Sequence, residues 1–318
     1  HTYNNLGWVD SGTLTFTNNT WPGNWNLTGN IGLLGGNFGD GEVVNVLGDF
    51  NTNNYNMSIY GDCFYNATNP VTCYNTTADG KGVWINASGN ITISSGSVLS
   101  GKGRGFPTNM GPGSGDDGGT YGGKGGMSTK AIYGSETQPI SLGSGGVTNL
   151  QSYAGSAIKL QSDNNFIKID GIINMDAIDT EQDASSGGSI WLLANNISGS
   201  GKLNASGGAG SLWAGGGGGR IALTSLGTNG FSGIINNKGG VGDSGSGSGG
   251  TVYINASTSI ISGMNISTTG YQGGNITFKD TLLTLSGFYN ATNSTGGSTW
   301  ERIIVNYTDC ASSFAGAT

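Results

Sequence analysis

Short apolar words separated by glycine runs set the pattern of this chain. The frame small–Gly–x–apolar–x–apolar recurs as AGSAIKL (154–160), GGSIWLL (187–193), GGRIALT (218–224), GGTVYIN (249–255) and GGNITFK (273–279). The glycine before each word falls at 155, 188, 219, 250 and 274, giving steps of 33, 31, 31 and 24 residues. A second word follows each first one: DGIINM from 170, SGKLNA from 200, SGIINN from 232, SGMNIS from 262 and SGFYNA from 286. The segment KGVWINASGNITISSGSVLSG (81–101) reads as an earlier copy. Two words repeating in fixed order are the mark of a stacked repeat architecture.

Side chains two apart on a strand share a face. Ile158/Leu160, Ile190/Leu192, Ile221/Leu223, Val252/Ile254 and Ile276/Phe278 are therefore equivalent pairs, expected to form continuous ladders along one interior. Each buried aliphatic contributes ~1.5–3 kcal/mol. One repeat cannot cover its own apolar face, whereas a stack can. The expected fold is all-β, a parallel β-helix (β-solenoid) over residues 80–318. A β-sandwich of hairpins is the alternative arrangement.

Residues 1–79 read as a separate N-terminal β module. GTLTFTN (12–18) alternates, with Leu14 and Phe16 on one face, and EVVNVLG (42–48) and NMSIYG (56–61) are further strand candidates. This module is expected to cap the first coil, because the end of a solenoid is a bare sheet edge. The strand Gly12–Asn18 is also a candidate donor strand for a neighbouring subunit. Residues 101–154 form a glycine-rich insertion. Together with 214–220 and 242–250 it is expected to pack along one edge, where glycine permits close backbone approach. Pairing of polyproline-II-like segments is one way to do so.

Composition narrows the class. The chain holds 63 glycines in 318 residues but only five prolines and no G-X-Y period, which excludes collagen. The recurring apolar words oppose disorder. Twelve basic residues stand against 19 acidic ones with no basic stripe, so no nucleic-acid partner is expected. No run of 18 or more apolar residues is present to form a membrane-spanning helix. The chain opens at His1, as a mature secreted chain does after cleavage, or as one trimmed at the same point does.

The chemical motif that stands out is N-x-[ST], an acceptor for N-linked glycans. It occurs at Asn18, Asn26, Asn56, Asn66, Asn75, Asn86, Asn90, Asn196, Asn204, Asn255, Asn265, Asn275, Asn290, Asn293 and Asn306, about twice what the composition alone gives. Asn86 and Asn255 occupy the same slot, after VWI and VYI. No sequon falls between Asn90 and Asn196, and a long sugar-free zone is where a partner can dock. Cys63 and Cys73 flank a short loop and are expected to form a disulfide in an oxidising compartment, the alternative being two free thiols. Cys310 is left over.

The succession YGGKGG (121–126), YGSETQP (133–139), LGSGG (142–146), GGSIWL with ISGSGKLNASGGAG (187–210) and GGGGGRIAL (215–223) resembles the glycine-rich β-helix modules of large surface proteins from bacteria, archaea and protists. The resemblance covers about 80–300. It implies a parallel β-helix in a surface or adhesin-like setting and brings no catalytic residue with it.

Some parallel β-helices are polysaccharide lyases or hydrolases, chemistry that needs paired carboxylates or an acidic metal cluster. The only candidate cluster is DAIDTEQD, with Asp176, Asp179, Glu181 and Asp183, a candidate calcium turn whose spacing matches no calcium loop. The alternatives are a solvated acidic turn and, last, catalysis. Trp8, Trp21, Trp25, Trp213 and Trp300 are candidates for sugar binding in an adhesin, or else cap and core residues. The expected function is an extracellular structural glycoprotein, not an enzyme, assembling head to tail with itself and in contact with surface polysaccharide.

Overall fold

The computed structural model describes residues 6–9, 13–16, 19–21, 25–27, 31–34, 42–61, 79–115, 117–147, 152–293 and 302–309. Among these residues there are strands and no helix. Leu6–Val9 pairs antiparallel with Thr13–Phe16 as a separate two-stranded sheet. The other strands belong to one 18-stranded sheet, curled, in which each described pairing is parallel.

The register bears out the ladders read from the repeat words. Val83, Ile158, Ile190, Ile221, Val252, Ile276 and Ile303 are successive partners, and so are Ile85, Leu160, Leu192, Leu223, Ile254, Phe278 and Val305. A second ladder runs through Phe50, Ile91, Ile167 and Ile197. A third runs through Met57, Leu99, Ile173, Leu203, Ile235 and Ile266. The repeats thus contribute to three ladders, in one to three strands each, and the alternating inward residues merge into one core cluster. Ile and Leu dominate because β-branched and aliphatic side chains fill a pleated, inward-facing surface. The arrangement fits a β-solenoid.

The N-terminal strands continue the same sheet. Glu42–Val46 lies parallel to Val83–Ala87, Phe50 is the partner of Ile91, and Met57 is the partner of Leu99. Asn19–Trp21, Trp25–Asn26 and Ile31–Leu34 extend it by a further rung. The segment packs on the first expected coil by adding rungs, so no break in the sheet marks residue 79.

The insertion holds no strand among its described residues, yet its backbone is tied to the repeats. Gly119 N donates to Ala184 O, Gly123 N to Gly218 O and Gly126 N to Gly215 O, at 2.8–2.9 Å. The loops after the third strand stack in turn, as in Gly218 N to Ser248 O and Gly215 N to Gly245 O, both 2.9 Å. These contacts form the expected glycine-rich edge. Close approach requires the glycines here: a methyl group on Gly216 would overlap the carbonyl oxygen of Ser185.

Candidate functional site

The sequon asparagines follow from the strand alternation. In Asn-x-Ser/Thr on a strand, the asparagine and the hydroxyl share the outer face while the central residue points inward. The side chains of eleven sequon asparagines are described: Asn26, Asn56, Asn86, Asn90, Asn196, Asn204, Asn255, Asn265, Asn275, Asn290 and Asn293. None is buried. The fully buried asparagines, Asn229 and Asn237, stand in no sequon. Asn86 and Asn255 share one column through Gln161, Leu193 and Thr224, as their common slot predicts, and the column runs on through Lys279 to Asn306. Asn18, Asn66, Asn75, Cys63, Cys73 and Cys310 lie outside the described residues, and of Asn306 only the strand position is described.

Seven of these asparagines use the amide oxygen as an acceptor. Asn56, Asn90, Asn196 and Asn265 accept from backbone N–H groups of the next repeat, those of Val98, Phe166, Thr228 and Phe288, at 2.8–3.3 Å. Asn290 accepts from Thr292 N at 2.9 Å. Asn26 and Asn204 accept from the side chains of Asn51 and Asn236. A backbone donor identifies the accepting atom as Oδ1 rather than Nδ2. The sugar-accepting nitrogen is then the amide's other edge, and a glycan on it leaves the bond intact. Asn86 differs: its Nδ2 donates to Asn45 Oδ1 at 3.3 Å, a bond that a sugar there would displace.

The acidic turn acts as a set of staples. Asp176 Oδ1 accepts from Ser206 N at 2.6 Å, Asp179 Oδ1 from Ala209 N at 2.8 Å and Asp183 Oδ1 from Ala214 N at 3.1 Å. Asp170 does the same to Ser200 N. Each carboxylate thus holds the backbone of the next repeat, while Glu181 is exposed. Among the described residues no group of three or more His, Cys, Asp or Glu is placed to share a metal ion. Burial raises the Asp176 carboxyl to about 6 against the bond from Ser206. Burial likewise raises Asp183.

The words that carry the family resemblance meet in space. Arg220, which closes the glycine run 215–219, is buried and donates through Nε to Tyr133 O at 2.9 Å and through Nη1 to Thr251 Oγ1 at 3.1 Å. Its guanidinium lies 3.5 Å from Glu136 and over the Tyr121 ring, 5.5 Å from the centroid. Tyr121 and Tyr133 pack with tilted rings, centroids 4.7 Å apart, and their hydroxyls bond Ser189 and Leu142 O, both at 2.6 Å. Burial raises both phenols. The cluster is a clasp that pins the insertion onto the repeats.

Of the candidate tryptophans, Trp213 is about half exposed on a loop tip. Trp8, Trp21 and Trp25 are described only as strand positions, and Trp300 lies outside the described residues. Periodicity did not single out Lys159, whose ammonium sits between Trp84 and Trp191 at 4.9 and 4.2 Å from their ring centroids. Nor did it reveal a polar patch inside the core. Asn229 and Ser259 are register partners in the second ladder, and both are fully buried. Burial lifts the Asp280 carboxyl to about 6. Ser259 and the Ala256 backbone oppose the shift without outweighing the burial. A groove of about 330 Å³, lined by Lys124, Ile132, Thr251, Gln272 and Asn275, opens where the insertion meets the later repeats.

No family model, curated protein or solved structure matches the chain.

Proposed function

We propose that this chain is an extracellular, N-glycosylated structural protein of a cell surface, its three strand ladders closing into a parallel β-helix. The observation that carries the reading is the placement of the sequons. The eleven described asparagines all lie off the core, and five commit Oδ1 to backbone N–H donors, bonds that a sugar on Nδ2 would not disturb. Glycans on the outer faces supply the hydration that a chain with 31 charged residues otherwise lacks. Peptide mapping of native protein tests this. Sugar on most of the fifteen sites is expected, and bare peptides at nearly all of them overturn the reading. Non-reducing mapping of the same digest tests the Cys63–Cys73 disulfide.

The chain is a subunit that assembles with itself, head to tail, into a filament, sheath or matrix. What supports this is an exposed apolar residue on the final rung among the described residues. Ile303 continues the first ladder yet is 43% exposed, whereas its partner Ile276 is fully buried. A second copy adding the next rung would cover it, with backbone bonds supplying affinity. Electron microscopy of native material should show polymers, and deletion of residues 1–20 should leave folded monomers. Monomers at high concentration of the native protein exclude the assembly.

A second reading, a monomeric carbohydrate-binding adhesin, is favoured by exposed Trp213, since aromatic rings commonly stack on sugars. Glycan binding by the monomer, lost in Trp213→Ala, would select it. Release of reducing ends or unsaturated uronates from a polysaccharide panel would instead reveal a β-helix lyase or hydrolase.

A further inference from the structure

The sequons do not sit where acceptor sites are usually found. An N-x-[ST] acceptor ordinarily lies in a surface loop. Here, ten of the eleven sequons with a described asparagine have their central residue buried in the core, at 5% exposure or less. Ile91, Ile197, Ile266 and Ile276 are four of them, each at 1% or less. The eleventh, at Asn293, runs outside the described residues.

The backbone of several of these sequons is also held from two sides. Asn275–Thr277 is paired with Thr251–Tyr253 on one side and with Arg302–Ile304 on the other. Ile91 lies between Phe50 and Ile167, and Ile197 between Ile167 and Asn229. A transferase must enclose both the asparagine and the hydroxyl two residues on. It cannot do so while the intervening isoleucine is in the core and both backbone edges are bonded to neighbouring repeats. Drawing the tripeptide out would break two ladders at once.

We infer that the sugars are attached before the repeats stack, and that the folded chain is refractory to the transferase. The inference rests on the glycoprotein reading above. In the reaction, Nδ2 forms a bond to the anomeric carbon of a lipid-linked oligosaccharide, and the bond from that carbon to pyrophosphate breaks. The lipid pyrophosphate leaves, and one Nδ2 proton passes to a base of the transferase. Folding follows modification, and the Oδ1 bonds at Asn90, Asn196 and Asn265 then lock each bearing amide against the next repeat.

The test uses the full chain made without sugar and extended by a flexible C-terminal tag carrying one sequon. The chain is offered, with a single-subunit oligosaccharyltransferase and lipid-linked donor, either folded or as the core-disrupted variant Ile221→Asp/Leu223→Asp. Peptide mapping reads occupancy. The tag should be modified in both states, and Asn90, Asn196, Asn265 and Asn275 at least tenfold more in the disrupted chain. Adding the donor to wild-type chain during translocation or after folding gives a second comparison, in case the variant aggregates. Comparable occupancy of the folded chain overturns the inference and leaves the glycoprotein reading standing. Modification of the tag alone in every state overturns both.

Discussion

Asp280 lies inside the core, where its ionised form loses hydration that Ser259 and the Ala256 backbone only partly replace. Its carboxyl, and that of Asp176, titrate near 6 instead of 3.8. The folded chain therefore holds these protons more tightly than the unfolded chain does. The stability they contribute is fully present below about pH 4 and is lost as pH rises through 6, up to roughly 3 kcal/mol for each two-unit shift. Among the described residues these carboxyls should dominate the window. Urea unfolding should give a higher midpoint at pH 5 than at pH 7, and Asp280→Asn should remove about half of the difference. A midpoint that rises with pH would contradict this assignment. Arg220 makes a second residue-scale prediction. Arg220→Met leaves Tyr133 O and Thr251 Oγ1 without their buried donor and should cost on the order of 2–4 kcal/mol. The loss should appear first as protease cleavage within 127–140, before the parallel sheet unfolds.

At the scale of elements, the strands and the glycine-rich loops are held by different means. The strands are held by apolar ladders and in-register pairing, whereas the loops are held by backbone contact that a single methyl group would obstruct. Gly216 and Gly230 separate the two cases. A methyl on Gly216 would overlap Ser185 O, whereas one on Gly230 would meet nothing nearer than 3.9 Å. Gly216→Ala should therefore destabilise by about 2 kcal/mol or more, since backbone on both sides must shift. Gly230→Ala should be within about 0.5 kcal/mol of the parent, the usual range for a surface change. Thermal unfolding of the two variants checks the contrast, and equal effects would mean that the loop edge is loosely packed.

For the whole molecule, most sugar acceptors lie away from the glycine loops, an exception being Asn293, which bridges to Gly270. The loops 101–156, 175–188, 205–219, 237–250 and 268–274 contain no sequon asparagine, while strands and corners of the other faces carry most of them. At the tips of this bare edge, Met127, Leu212, Trp213 and Val241 are exposed, and Trp213 O accepts from Ser244 N at 3.3 Å. If the edge forms contacts in an assembly, a sugar placed on it should act as a wedge. Val241→Asn with Asp243→Thr creates an acceptor at one of the most exposed tips. The glycosylated variant should keep its circular dichroism and melting temperature but fail to polymerise. Normal polymers with the new site occupied would rule this edge out.

Strand alternation is local, so the amino-acid sequence by itself determined the repeat words, the inward pairs from Ile158/Leu160 to Ile276/Phe278 and the outward placement of Asn86 and Asn255. The crowding of glycine loops was legible for the same reason, because only glycine allows backbones so close. Long-range partners were not legible, because loop length hides which strands meet. Val83 pairs with Ile158 across the whole insertion, and Glu42 with Val83 across 41 residues, so the N-terminal strands read as a separate module although they share the sheet. Tertiary structure alone decided that Asp176, Asp179 and Asp183 each reach the next repeat's backbone instead of one another. It also set Arg220 against tyrosines about 90–100 residues earlier and placed Asn229, Ser259 and Asp280 inside the core. In each case the deciding energy is the satisfaction or desolvation of a polar group by neighbours that only the stacking of repeats brings near.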